Sequence, residues 1–106
     1  MYKSIGEYYP EIKLSQFNFS QDEVQKFFYE LMLGNTSNWA SNLKQSLYSM
    51  EDSLDNFIFY REKGTGHCTL PYSNFYQKYQ DQISKSEWLR KFINDEDTQS
   101  INCSEC

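Results

Sequence analysis

The residues of this chain best suited to chemistry are one histidine and three cysteines. His67 and Cys68 are adjacent, and Cys103-Ser104-Glu105-Cys106 forms a Cys-x-x-Cys. Together they offer one nitrogen and three sulfur donors, the number and type that a tetrahedral zinc site uses. Neighbouring ligands crowd a single ion, so a metal-free segment with two solvent-facing thiols is the preferred reading, and no cofactor is expected. A redox role for Cys103 and Cys106 calls for a helix N-terminus to favour the thiolate, and only preceding residues are there to supply one. Cys68 with His67 as its base is the remaining nucleophilic pair. On a strand, adjacent side chains point to opposite faces, which separates thiol from imidazole. The chain is therefore read as a non-enzyme, with a small enzyme built around His67 as the third-ranked alternative.

Gly64-x-Gly66 lacks the further glycine and the Lys-Ser/Thr of a phosphate loop and is read as a turn. Two acidic clusters remain, Glu51, Asp52 and Asp55 at the end of one helix and Asp95, Glu96 and Asp97 after another. Brought together beside exposed Tyr48 and Tyr60, they would form a negative surface with aromatic anchors. Such a surface suits a basic protein partner, because charge steers the encounter and buried rings hold it.

The balance of the chain points the same way. Ten basic against fifteen acidic residues give a net charge of -5, which disfavours direct binding of nucleic acid through its phosphates. Nothing at the start of the chain reads as a signal peptide, and no apolar run approaches the ~20 residues of a membrane span, so a cytoplasmic protein without membrane contact is expected. A short, acidic, aromatic-rich chain without catalytic residues has the compositional profile of toxin-immunity proteins and of phage-encoded inhibitors of host defence nucleases. The leading expectation is thus a stoichiometric inhibitor covering the active or substrate-binding surface of a basic nuclease or other nucleic-acid enzyme. The alternative is a structural or regulatory module that self-associates, with or without zinc.

The elements that would position these residues follow from periodicity. Residues 1–10 have no clean period and read as a loop or edge segment. Ile12, Leu14, Phe17 and Phe19 suggest a strand with a register change at Gln16. Ser20-Gln21-Asp22-Glu23 reads as a capping box, and Val24, Phe27, Phe28 and Leu31 share one face of a helix over 21–33 stopped by Gly34. Trp39, Leu43, Leu47, Met50 and Leu54 predict a second helix over 38–54, antiparallel to the first. Phe57 to Tyr60 reads as a strand, with Gly64 to Gly66 turning it back into a return strand over 67–70. Ser73 caps a third helix through Phe75, Tyr76, Tyr79 and Ile83, and Trp88, Leu89, Phe92 and Ile93 mark a further stripe. The expected architecture is α+β, three to four helices packed with a short hairpin or small antiparallel sheet, with a mainly helical domain as alternative. One globular domain over 1–94 is followed by an acidic, Cys-containing tail over 95–106. Trp39 and Phe28 are its expected core residues.

Overall fold

Phe57-Ile58-Phe59-Tyr60 is apolar at every position rather than at alternate ones, the pattern of a strand covered on both faces. In the computed structural model, which describes residues 2–78, 82–104 and 106, this run is the central strand of a three-stranded sheet. The elements in chain order are α1 (Tyr2–Tyr8), β1 (Leu14–Phe19), α2 (Glu23–Leu31), α3 (Trp39–Ser53), β2 (Phe57–Glu62), α4 (Lys85–Ile93) and β3 (Ile101–Asn102), with single 3-10 turns at Thr36–Asn38 and Ser73–Tyr76. The α+β class stands, but the sheet is neither antiparallel nor a hairpin. β2 pairs in parallel with β1 on one side and with β3 on the other. Parallel neighbours need long crossovers, and α2 with α3 supplies one and α4 the other.

The pairing register sorts side chains by face. Leu14 lies opposite Phe57 and Gln16 opposite Phe59, with no register change at Gln16. On this face Phe57 and Phe59 form the core with Leu47 of α3 and with Leu54, and Tyr2, Leu14, Leu43 and Met50 pack around it. On the other face the Tyr60 ring meets Trp88 of α4 at 5.5 Å and Phe17 at 6.0 Å, and Phe92 stacks on Trp88. Each buried large side chain contributes about 1.5–3 kcal/mol, so the rings of β2 and their partners supply much of the driving force.

Tertiary packing overrides local pattern at both ends of the chain. Tyr2 sets its ring edge-on to Phe57, and Gly6 lies where an added Cβ would stand 2.8 Å from Leu54 Cδ1, so the first residues form a helix instead of a loop. At the other end, the segment expected to hang free carries β3, and Trp88 Nε1 donates to the carbonyl of Gln99 at 2.9 Å.

Three further boundaries move for identifiable reasons. Ser20 donates its amide to Glu62, extending the β1–β2 ladder, so α2 starts later and its cap is Asp22, which accepts from the amide of Gln25. The helix ends at Leu31, Leu33 turns the chain away at φ 65°, and Gly34 fits beneath the Tyr29 ring, where an added Cβ would come within 2.6 Å. The helix expected from Ser73 reduces to one 3-10 turn, and α4 begins from Ser84, whose hydroxyl accepts from the amide of Glu87. Tyr79, Gln80 and Asp81 of that expected helix lie outside the described residues. Among the described residues, no helix is long and apolar enough to cross a membrane.

Candidate functional site

The loop leaving β2 explains how the histidine is placed. Instead of turning back as a return strand, it runs beside the entry to α2: Gln21 donates to the carbonyl of Gly64, Glu23 to that of Thr65, and Gly64 to Ser20 Oγ. This delivers His67 to Asp22, whose carboxylate is 1 % exposed. Nδ1 of His67 lies 2.8 Å from Asp22 Oδ2. Because an ionised carboxylate only accepts, Nδ1 carries the hydrogen and Nε2 is left for other partners.

His67 and Cys68 are not on a strand, and both line a pocket of about 450 Å³ with Phe17, Leu70, Phe75 and Trp88. Lys85 also lines it, buried and paired with Glu62, its ammonium 5.1 Å from the centre of the Phe17 ring. The pocket is thus largely apolar, with an oriented imidazole and an exposed thiol at its edge.

The four zinc candidates are not assembled. Cys103 and Cys106 are joined in a disulfide, which occupies both of their sulfurs. Among the described residues no three His, Cys, Asp or Glu side chains converge as metal ligands.

The acidic clusters meet in part. Asp55 at the end of α3 and Asp95 and Glu96 after α4 line one shallow groove of about 200 Å³. Lys13 pairs with Asp95 at 2.8 Å and Arg90 with Glu96 at 2.7 Å, so the groove is less negative than its acids alone suggest. Asp97 opens onto a different groove with Lys91, while Glu51 and Asp52 stay on α3. Of the two tyrosines, Tyr48 remains partly exposed with its hydroxyl accepting from Asn102 Nδ2 at 3.0 Å. Tyr60 cannot serve as a surface anchor, because it is fully buried and donates to the carbonyl of Ile83 at 2.8 Å.

The feature that sequence reasoning missed is the face of α2. Phe28 was expected in the core, yet it and its face-mates Val24, Phe27 and Leu31 are 40 to 63 % exposed, and Met32 and Leu33 extend the apolar surface. Phe27 and Phe28 touch edge to face at 5.6 Å. Tyr29, on the opposite flank, ties the helix to α3 through a hydrogen bond from Asn42 at 3.3 Å. Periodicity identified the face, but it carries no information on whether another element covers it. Monomeric soluble domains rarely leave so many large apolar side chains together in water, and where they do the patch marks an interaction surface.

Comparison with family models, with curated proteins and with solved structures gave no match for this chain.

Proposed function

We propose that this protein is a stoichiometric, cytoplasmic protein-binding inhibitor that docks the apolar face of α2 into a groove on a basic partner, a nuclease or another nucleic-acid enzyme. The observation that carries the reading is the uncovered set Val24, Phe27, Phe28 and Leu31, spaced at i, i+3, i+4 and i+7 as in helices that lie in hydrophobic grooves. Its charge supports a basic partner: Glu23 and Glu30 stand at the two ends of the same helix, on a chain of net charge -5. Rings and aliphatic side chains anchor the contact, while the acids, including Asp55 and its neighbours, steer the encounter.

The experiment compares the wild type with a Phe27→Glu/Leu31→Glu variant in pull-down, followed by titration of the purified partner's activity. A basic enzyme captured at near-equal stoichiometry, silenced at one equivalent and lost with the variant, supports the reading. Retention of full inhibition by the variant rules out α2 as the interface. A concentration-dependent dimer that the same substitutions dissolve favours the self-associating module instead.

A second reading rests on the Asp22–His67 pair beside Cys68, an oriented base next to a thiol in an apolar pocket. Its discriminator is His67→Ala. Unchanged cellular function in that variant excludes an enzyme built on this histidine.

A further inference from the structure

Arg61 is buried at 1 % exposure, and the sulfurs of the Cys-x-x-Cys sit against its guanidinium. Nη1 lies 3.3 Å from Cys103 Sγ, 3.1 Å from Cys106 Sγ and 3.2 Å from Asn102 Oδ1, and Nη2 lies 3.4 Å from the carbonyl of Cys106. The parallel register produces this contact: Arg61 stands opposite Asn102 across β2–β3, which brings Cys103 and Cys106, just after β3, to its head group. A helix N-terminus is therefore not the only cation equivalent open to this pair; a neighbouring strand provides a full charge.

We propose that Cys103 and Cys106 form a thiol–disulfide exchange site, with Arg61 holding the released thiolates and low-molecular-weight thiols of the glutathione class as electron donors. The two sulfurs differ in access, since Cys103 is buried and Cys106 is partly exposed. An external thiolate attacks Cys106 Sγ, the Cys103–Cys106 bond breaks, and its electron pair leaves on Cys103 Sγ beside Arg61. A second external thiolate then attacks the external sulfur of the mixed disulfide and releases Cys106 as a thiolate, also within reach of Nη1. In sum, two thiols are oxidised to one disulfide, and two electrons pass to the cysteine pair, whose thiolates take protons from water according to pH. Glutathione disulfide runs the sequence backwards and restores the bridge.

The direction follows from electrostatics. A cation at hydrogen-bond distance favours thiolate over thiol, and stabilising the reduced form makes the disulfide a better oxidant. A bridge between cysteines only three positions apart closes a very short loop and constrains the unfolded chain less than a long-range link, which makes a purely structural role the weaker explanation.

The test uses the full chain carrying Cys68→Ala, so that one cysteine pair reports. The protein is equilibrated in glutathione buffers of varied composition, quenched with an alkylating agent and weighed. The pair should pass from oxidised to reduced within the glutathione range, and Cys103→Ser should trap glutathione on Cys106. Alkylation of the reduced pair should show its pH midpoint below the ordinary thiol value of about 8.5, and Arg61→Gln should slow alkylation at pH 6 about tenfold. A midpoint at or above the ordinary value, or a pair that stays oxidised in every glutathione mixture, overturns the proposal. If Arg61→Gln does not fold, the wild-type profile and the Cys103→Ser trap decide it alone.

Discussion

Asp22 caps α2 and orients His67 with one carboxylate, accepting from the Gln25 amide at 2.9 Å through Oδ1 and holding Nδ1 of the imidazole at 2.8 Å through Oδ2. The start of the exposed helix and the edge of the apolar pocket lined by Phe17 and Trp88 therefore depend on the same side chain. Asp22→Ala should cost about 1–2 kcal/mol from the cap alone and release His67, while the backbone bonds at Gly64 and Thr65 remain. Asp22→Asn keeps a capping acceptor and should cost less. Urea melts measure both, and an alanine variant as stable as the wild type contradicts the shared role.

Lys85 and Glu62 form the buried ion pair of the sheet's second face, with side chains 3 % and 12 % exposed and the ammonium close to Phe17. Removing one partner leaves a charge in an apolar setting, so Lys85→Met should destabilise by about 3–5 kcal/mol. Lys85→Met combined with Glu62→Leu removes both charges and should recover a large part of that loss. A double-mutant cycle on denaturant midpoints tests the coupling, and simple additivity of the two losses would mean the charges stand independently.

Much of this arrangement was legible, and the errors have a common physical origin. Helical spacing located α2, α3 and α4 because a period of 3.6 is local information, and the Trp39 and Leu47 faces are indeed covered. Strand pairing is not local. The unbroken apolar run Phe57 to Tyr60 carried the signature of a sheet covered on both faces, but the nearby Gly64-x-Gly66 turn suggested a hairpin, and the loop's hydrogen bonds go to residues 20–23 instead. Arg61 beside the cysteines was illegible for the same reason, since only the β2–β3 register brings residues so distant in sequence together. The α1 helix is a further case, because its stability comes from Leu54 and Phe57 rather than from its own pattern.

Glu87, in the first turn of α4, is bound by Arg90 through Nη2 at 2.6 Å and Nε at 3.1 Å. That hydrogen bond, opposed by partial desolvation and aided by the charges of Arg90 and Lys91, holds its carboxyl below the ordinary glutamate range. A depressed folded-state value means the stabilisation is fully present above the unfolded-state value and is lost as pH falls through the folded one. The pair is solvent-exposed, so the stability effect should be small. Carboxyl-carbon NMR titration should show Glu87 protonating at lower pH than unpaired glutamates, with Arg90→Gln returning it to the ordinary range. Coincident titration in wild type and variant removes the assignment.

Trp39 and Phe28 occupy equivalent places in the periodic pattern and opposite places in the fold. Trp39 is buried at 8 % exposure, whereas Phe28 stands 57 % exposed on α2. Trp39→Ala should cost about 3–5 kcal/mol, because it opens a cavity that neighbours fill only in part. Phe28→Ala removes little buried contact and should change stability by less than about 0.5 kcal/mol. The pair of melts separates packing from display. If Phe28→Ala also costs several kcal/mol, the α2 face is covered in solution and cannot be the docking surface. If it leaves stability unchanged but weakens partner capture at least tenfold, a loss of about 1.4 kcal/mol in binding, the ring is retained for recognition rather than for folding.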